Sequence, residues 1–205
     1  MIGWMTMINK YLDLMIPDAV CELNYSKDYE LLIAVMLSAR STDARVNEVT
    51  KELFKYSLDE LKNMDIKKLE DIVKSVGTYH RKAEYVRLIA KKIIENGRVI
   101  PNDRVFIESL PGVGHKTCNV FLSEIYNVPT IAVDTHVLRV CKRIGITDST
   151  DDEATTEDKL MKVIPKDKWS RTHKQLVLFG RYICKSKNPI CSKCKFVNEC
   201  KYIKK

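Results

Sequence analysis

The segment LPGVGHKTCNV (residues 110–120) places a lysine two residues after a Gly-Val-Gly turn, between two stretches with the apolar spacing of helices. Gly112 and Gly114 lack a Cβ, so the backbone can take positive φ and a ligand can approach it closely. The free N–H groups and positive dipole end of the second helix suit a phosphate. The segment alone fits a tight helix–helix turn equally well, with Lys116 as a surface contact to phosphate.

Lys116 would lie in the first turn of the second helix, where a different chemistry is open to it. An amine attacks carbon only when neutral, whereas lysine is normally charged. Partial burial and a nearby helix N-terminus both disfavour the ammonium form. A nucleophilic Lys116 is therefore expected to be partly buried.

A carboxylate and a histidine follow eighteen residues after this lysine, in AVDTHVLRV. Asp134 directly precedes a helical pattern, so the simplest interpretation is an N-cap. A cap and a catalytic carboxylate are compatible roles for one side chain. We interpret His136 as a structural residue, because buried or supporting histidines are commoner than ligands.

Four of the seven cysteines are close together, with the spacing C-x6-C-x2-C-x5-C: Cys184, Cys191, Cys194 and Cys200. Four thiolates within one short segment predict a metal site. Zinc and a [4Fe-4S] cluster both suit four thiolates, so the residues alone leave these two open. The remaining Cys21, Cys118 and Cys141 are predicted to be buried free thiols.

Charge points to a polyanionic partner. The 205-residue chain has a net charge of +8, and residues 165–205 carry twelve lysines and arginines against two acidic residues. A Lys-rich solvated surface is the simpler alternative. The N-terminal stretch MIGWMTMINKYLDLM is too short and too interrupted for a membrane span and reads as an amphipathic helix. We expect no membrane association and a cytoplasmic location.

The apolar pattern predicts an all-α fold with little strand. Residues 130–133 (TIAV) are the best strand candidate. Expected helix starts and ends are Ser26 or Asp28, Thr42 or Asp43, Ser57 with Glu60 as a capping box, Gly77, Gly97, Asp103 and Asp134.

These segments together resemble one family. LPGVGHKTCNV closely resembles the helix-hairpin-helix of the endonuclease III family of DNA glycosylases, and AVDTHV and the cysteine spacing match the same family. ELLIAVMLSARSTDARVN resembles its first core helix and the turn after it. The resemblance implies an all-α, two-lobed helix-hairpin-helix glycosylase fold, with a six-helix barrel lobe and an iron–sulfur cluster lobe. The implied domains are 22–129, with the hairpin at about 103–126, and a discontinuous 1–21 plus 130–205, with the cluster loop at 184–200.

The resemblance also implies a reaction. Lys116 would displace a damaged base at C1′ and form a Schiff base, and β-elimination would cut the strand 3′ to the lesion. Asp134 would deprotonate the nucleophile or stabilise positive charge on the sugar. The four cysteines would hold a [4Fe-4S] cluster. The expected partner is double-stranded DNA with a damaged base or abasic site, bound by a monomer that is nucleoid-associated when it acts.

Further residues are expected to contact the DNA. The hairpin contributes Gly112, Val113, Gly114 and His115. Lys185 and Lys187, in the loop KSKNPI, could each reach a phosphate. Family members typically have Gln at Arg40 and Leu at Thr78, the residues that fill the gap beside the flipped base, and Arg at His115. An arginine beside an orphaned base can favour guanine through its two major-groove acceptors.

Three functions remain open from the sequence. The first is a bifunctional glycosylase and AP lyase for oxidised pyrimidines. The second is a glycosylase for mispaired or deaminated pyrimidines opposite guanine, with Arg40 as its marker. The third is a non-enzymatic iron–sulfur DNA-binding protein, against which the pair Lys116 and Asp134 argues.

Overall fold

The computed structural model describes residues 2–203, with side chains from Met7 onward. Met1, Lys204 and Lys205, which the predicted domain boundaries include, lie outside the described residues. Over residues 2–203 the chain forms eleven α-helices and no β-strand, which confirms the predicted all-α fold. None of these helices is long and apolar enough to cross a membrane.

The chain divides into two compact units. The central unit is Glu22–Tyr126, and the terminal unit combines Met1–Cys21 with Asn127–Lys205. The sequence expectation assigned 127–129 to the barrel domain, whereas this division assigns them to the terminal unit. The identity of the two units as barrel lobe and cluster lobe stays a prediction.

Seven helices build the central unit. They are α2 (Asp28–Ser38), α3 (Asp43–Leu53), α4 (Leu58–Asn63), α5 (Ile66–Val73), α6 (Tyr79–Glu95), α7 (Arg104–Glu108) and α8 (His115–Tyr126). Helix α2 is buried along its length, from Glu30 to Leu37. A helix that is apolar on all sides belongs in a core, and α3, α6 and α8 all pack against α2.

Helix α6 is the longest helix of the central unit and is amphipathic. Its buried face includes Lys82, Val86, Ile89 and Ile93, at helical spacing. This helix packs against α2, α4 and α5. Because it lies beside several helices at once, its buried face positions the turns at their ends.

Four helices build the terminal unit: α1 (Ile2–Met15), α9 (Thr135–Ile144), α10 (Glu153–Val163) and α11 (Trp169–Tyr182). Helix α11 packs against α1 and α9. The approach of α11 to α9 depends on Gly180, because a Cβ there would lie 2.9 Å from the Cβ of His136. The chain ahead of α9, residues 127–134, is irregular.

The last part of the terminal unit, the cysteine segment (residues 184–200), is anchored by one aromatic side chain. Phe196 is fully buried, and its ring meets Tyr11 and Phe179 edge-on, at centroid distances of 5.3 and 5.8 Å. Such edge-to-face pairs add about 0.5–1.5 kcal/mol each to the burial itself. The segment is therefore fixed to the same core that positions α9.

Most of the predicted helix ends are confirmed. Thr42, Asp103 and Asp134 accept hydrogen bonds as the predicted N-caps, and Ser57 forms the predicted capping box. The predicted cap of α2 is wrong: the helix begins at Asp28, and its N-cap is Lys27 rather than Ser26 or Asp28. The Glu30 carboxylate accepts from the backbone N–H groups of residues 26 and 27. Gly97 follows α6 with φ of +70°, as expected for a helix end.

Three other expectations are wrong. Helix α5 ends at Val73 rather than at Gly77. Residues 130–133 form no strand, since every regular element over residues 2–203 is helical and a strand needs a partner for its backbone groups. Cys118 and Cys141 are buried as predicted, but Cys21 is only half-buried.

Gly112 is expected to be essential for stability, whereas Gly114 is not. Gly112 has φ of +75°, and a Cβ there would lie 2.4 Å from Tyr85 Cδ2 and 3.1 Å from Met36 Cγ. Alanine in the left-handed region costs about 1–2 kcal/mol, before the clash is counted. Gly112→Ala should therefore lower the free energy of unfolding in urea by at least about 1–2 kcal/mol.

Gly114→Ala is the matched control, because nothing lies within 4 Å of its would-be Cβ. Its loss should stay near about 0.5 kcal/mol, as for an unhindered site. Equal losses in the two variants would contradict this division of roles.

Candidate functional site

Lys116 is the second residue of α8, so its predicted place in the first turn is confirmed. The predicted partial burial is wrong, because the Lys116 side chain is exposed. The side chain points to solvent from the first turn of α8, and no described element packs over it to bury the amine. The amine is therefore accessible to a large substrate.

The two hairpin glycines do different things. Gly112 lies in the left-handed region and packs against Tyr85 of α6, so a residue with a Cβ would clash there. Gly114 has no positive φ and open space where a Cβ would be. Only Gly114 therefore leaves the backbone open to an approaching ligand, at the start of α8.

Val113, between them, holds the turn together. Its side chain is buried, and its N–H donates to the Leu110 carbonyl at 3.1 Å. Neither group is available to a phosphate while this turn is intact. The sequence expectation of a DNA contact at Val113 stays a prediction.

His115 belongs to a polar network that joins α7 to α8. Its Nε2 lies 3.1 Å from Asn119 Nδ2, and its Nδ1 lies 3.7 Å from the Glu108 carboxylate. Arg104 donates to Glu108 at 2.8 Å and to Asn119 at 2.7 Å. The ring of His115 is nevertheless exposed, next to Lys116.

Asp134 caps α9 with one carboxylate oxygen. Oδ1 accepts from the N–H groups of His136 and Val137, both at 2.8 Å. Among the residues that the structure describes, no side chain or backbone group is hydrogen-bonded to Oδ2. The carboxylate is thus held in place through one oxygen, while the second can accept a proton or face a positive charge.

His136 is part of the same helix start and has a neutral ring. Arg139 Nη2 lies 3.2 Å from His136 Nδ1, and a guanidinium can only donate, so Nδ1 accepts and the proton is on Nε2. Burial, opposed by Asp134 and reinforced by Arg139 and Arg181, lowers the pKa of His136. This supports its interpretation as a structural residue.

The four predicted ligand cysteines meet at one place. Cys184, Cys191, Cys194 and Cys200 line a single small cavity, with Arg143 beside it. Burial and the other three thiols raise the pKa of Cys194 to about 11. Over residues 2–203, no group of three or more Cys, His, Asp or Glu side chains is arranged to hold a metal ion.

The chemistry of the four thiols that line this cavity, rather than their arrangement in the structure, suits a cationic centre. Because each thiolate would repel the others, all four lose their protons together only when a cationic centre binds them. Arg143 Nη1 lies 3.6 Å from Cys184 Sγ, so a cationic side chain stands beside the cavity. The donor set and the nearby guanidinium therefore suit a metal centre ligated by sulfur.

Lys185 and Lys187 are exposed on the first loop of the cysteine segment. Arg143 holds this loop by donating to the carbonyls of Lys185 and Ser186, at 2.6 and 3.0 Å. Arg139 donates to the Cys184 carbonyl at 3.2 Å. The loop that carries the two lysines is therefore fixed at its start rather than loosely tethered.

Arg40 and Thr78 lie in two turns that touch each other. Both residues are exposed and both have left-handed backbone conformations, with φ of 57° and 58°. The Ser41 hydroxyl accepts from the Gly77 N–H at 3.0 Å. A Cβ at Gly77 would lie 3.1 Å from the Arg40 carbonyl oxygen, so a larger residue there would press the two turns apart by a few tenths of an ångström.

The structure thus joins Arg40 with Thr78, and the four cysteines with one another. Lys116 lies in the central unit and Asp134 in the terminal unit. Sequence reasoning missed Lys82, Arg139 and Arg143, which hold these parts in position. Two basic residues four apart on α9 were the only sequence signal for the arginine pair, and such pairs are common on solvated faces.

The lowered pKa of His136 predicts a pH effect on stability. The unfolded state binds a proton near pH 6.5, whereas the folded state binds it only at lower pH, so stability falls as the pH drops below about 6.5. In His136→Gln this contribution is absent. The gap in thermal unfolding midpoint between wild type and variant should therefore narrow from pH 7.5 to pH 5.5. A constant gap would mean that the ring takes up its proton equally in both states.

Comparison with known proteins identifies the same family that the sequence motifs resemble. Residues 33–166 match the family model of the HhH-GPD superfamily base excision DNA repair protein. Endonuclease III of Bacillus subtilis is 46% identical over 91% of this chain and 87% of its own length. Endonuclease III of Escherichia coli K12 is 39% identical over 92% of this chain and 90% of its own length.

Solved structures agree with the fold over nearly the whole chain. A trapped endonuclease III–DNA covalent intermediate superposes with a TM-score of 0.91 at 43% identity, over 98% of this chain and 97% of its own. A non-covalent endonuclease III–DNA complex gives 0.92 at 41% identity, over 98% and 96%. A thermostable thymine-DNA glycosylase shares the fold at 21% identity. With family model, relatives and structures in agreement over most of its length, the chain belongs to the endonuclease III family of base excision DNA repair enzymes.

Proposed function

We propose that this protein is a bifunctional DNA glycosylase and AP lyase that removes oxidised pyrimidines from duplex DNA. The observation that carries the proposal is Lys116, an exposed amine in the first turn of α8, next to the open backbone of Gly114. The trapped covalent complex of a related endonuclease III supports a covalent step with DNA.

The hairpin is proposed to bind the DNA backbone. Gly114 leaves room for a phosphate at the start of α8, where free N–H groups and the helix dipole favour an anion. These contacts recognise no base, so they hold the duplex without reading its sequence. Lys116 follows two residues later, and a gripped backbone therefore brings a sugar within its reach.

The chemical steps use this chain's own groups. The target nucleotide is flipped out of the stack, because its glycosidic bond is hidden in the duplex. The neutral Lys116 amine then forms a bond to C1′ while the bond from C1′ to the base breaks, and the base leaves with the electron pair and takes up a proton. The sugar ring then opens: O4′ leaves with the C1′–O4′ electron pair and takes up the proton that the Lys116 nitrogen loses, which gives an imine on Lys116. Water accepts a C2′ proton, a C2′–C3′ double bond forms, and the 3′ phosphate leaves with the C3′–O electron pair, which cuts the strand on the 3′ side.

Asp134 is proposed to supply the negative charge. Its Oδ1 is occupied by the two cap hydrogen bonds, which fix the carboxylate, and Oδ2 remains for the reaction. There it takes the proton of the incoming amine or stabilises positive charge that develops on the sugar as the base leaves. A positioned group of this kind contributes about 10²–10⁴ in rate.

The four cysteines are proposed to hold a [4Fe-4S] cluster. Their common cavity and the Arg143 guanidinium beside Cys184 support a sulfur-ligated centre, and the spacing resembles the family's cluster loop. When bound, the cluster ties the cysteine segment together. Lys185 and Lys187, exposed on the loop held by Arg143, are proposed to contact phosphates.

A second substrate class is supported by one observation. Arg40 is exposed on a strained turn that touches the Thr78 turn. An arginine presented there would favour guanine opposite the lesion, through the N7 and O6 acceptors. On this alternative, the preferred substrates are mispaired or deaminated pyrimidines opposite guanine, and a panel of single-lesion duplexes with varied opposite bases distinguishes the two.

Lys116→Gln should abolish both strand cleavage and borohydride trapping. Glutamine keeps most of the reach but has no nucleophilic nitrogen, so no imine forms for borohydride to reduce. Binding to damaged duplex should persist, because the Gly114 backbone is unchanged. The matched control is Lys67→Gln, which removes an exposed lysine from α5 of the same unit and should trap normally. Undiminished trapping by Lys116→Gln would place the nucleophile elsewhere.

Asp134→Asn should separate the cap from the chemistry. Asparagine caps a helix about as well as aspartate, so the fold should be kept. Single-turnover base release should fall by about 10²–10⁴, because the charge is gone. Base release at the wild-type rate would reduce Asp134 to a helix cap.

Metal analysis should return about four iron and four sulfide per chain from anaerobically purified protein. Cys194→Ser should lose iron and fold poorly, because one of the four thiols that line the shared cavity is removed. Cys21→Ser is the control and should keep its iron, since Cys21 is not among the cavity residues. One zinc per chain and no iron would refute the cluster.

A further inference from the structure

Lys82 is a buried lysine whose ammonium lies at the end of another helix. Its side chain on α6 is 3% exposed, and Nζ donates to the carbonyls of Leu37 and Ala39, at 2.8 and 2.6 Å. These carbonyls belong to the C-terminus of α2, the negative end of its dipole. Burial lowers the pKa of Lys82, and the two carbonyls are its hydrogen-bond acceptors.

The residue after Ala39 is Arg40, and the bonds from Lys82 therefore fix the point where the chain leaves α2. Arg40 has φ of 57°, a conformation that non-glycine residues adopt at a cost. Such strain persists only where the surroundings determine the backbone. Here the surroundings are the Lys82 ammonium, whose hydrogen bonds to the Leu37 and Ala39 carbonyls hold the backbone directly ahead of Arg40.

Lys82 also belongs to the first turn of the helix that Thr78 begins. Its N–H donates to the Thr78 carbonyl at 3.2 Å, and Thr78 itself has φ of 58°. A β-branched residue at positive φ is rare. The two strained turns are joined directly as well, by the hydrogen bond from Gly77 N–H to the Ser41 hydroxyl.

We propose that Lys82 is a positioning residue that holds the Arg40 turn (residues 38–42) and the Thr78 turn (residues 77–78) as one rigid element. The inference rests on the proposed function, in which Arg40 and Thr78 fill the gap beside the flipped nucleotide. Two side chains on one rigid element enter the duplex together, and the opposite base then meets a fixed arginine. Lys82 touches neither base nor sugar and acts only through these turns.

The test uses Lys82→Met, which keeps the length of the side chain and removes its donors. All proteins carry Lys116→Gln as well, so that no base is released during the measurement. The duplex carries 2-aminopurine opposite the lesion, and its fluorescence rises when the base is unstacked. We expect the rise seen with the Lys116→Gln parent to fall at least about twofold with Lys82→Met.

Lys91→Met is the matched control. Lys91 also lies on α6, but its side chain is exposed and its amine lies 3.8 Å from the Glu95 carboxylate of the same helix. It should leave the fluorescence rise unchanged. Ser41→Ala removes the acceptor of the Gly77 N–H and leaves the Lys82 ammonium in place. It should also lower the fluorescence rise, which keeps the test decisive if Lys82→Met folds poorly.

A second readout separates positioning from simple loss of stability. In the Lys116 background, Lys82→Met should reduce the ratio of base-release rates between guanine and adenine opposites at least about threefold. Its cleavage of a preformed abasic site should change less than about twofold. Equal losses in both reactions, or full fluorescence in both Lys82→Met and Ser41→Ala, would overturn the inference. A parent protein that leaves 2-aminopurine stacked would overturn the proposed roles of Arg40 and Thr78 themselves.

Discussion

The central unit depends on the contacts of a single helix face. Along α6, Lys82 holds the end of α2, Tyr85 fills the space beside Gly112, and Lys92 donates to the carbonyl of Ser109 ahead of the hairpin turn. Residues 82, 85 and 92 lie at helical spacing, so they share one side of the helix. Because a rotation of α6 would move all three contacts together, the Arg40 turn, the Thr78 turn and the hairpin keep a fixed arrangement within their unit. A buried ammonium is an expensive way to fix a turn, and its two short hydrogen bonds offset that cost.

Helix α9 has the corresponding role in the terminal unit. Asp134 caps its start, and Arg139 and Arg143 on one face of its later turns donate to the carbonyls of residues 180 and 184–186. Gly180 lets α11 approach within contact of His136 at the same level. Helix α9 therefore holds both the carboxylate proposed for catalysis, at its start, and the segment proposed for the cluster, through its two arginines.

Local chemistry was predictable from the sequence, and contacts across the chain were not. Asp103, Asp134 and the Ser57 capping box could be predicted because a cap is formed within four residues. Gly77 was wrongly predicted to end a helix, whereas in the structure it packs closely against the Arg40 carbonyl, which lies far away in sequence. Lys82 resembles any lysine of a charged amphipathic helix, and only the end of α2 makes it a buried ammonium. The exposure of Lys116 escaped prediction for the same reason, because burial is decided by what packs above a residue.

That exposure bears on where substrate choice is made. An exposed amine can reach any sugar that is brought to it, so Lys116 offers little discrimination between bases. Extracting a nucleotide from the stack costs a few kcal/mol, and least for a damaged or mispaired base. On the proposed function, selection therefore falls on the step in which Arg40 and Thr78 fill the vacated space. Strained backbone at both residues fits this role, because a turn that is held rigid can meet the opposite base without first paying the entropy of becoming ordered. On this proposal the rigid Arg40 and Thr78 turns select the base, and the exposed Lys116 carries out the covalent step.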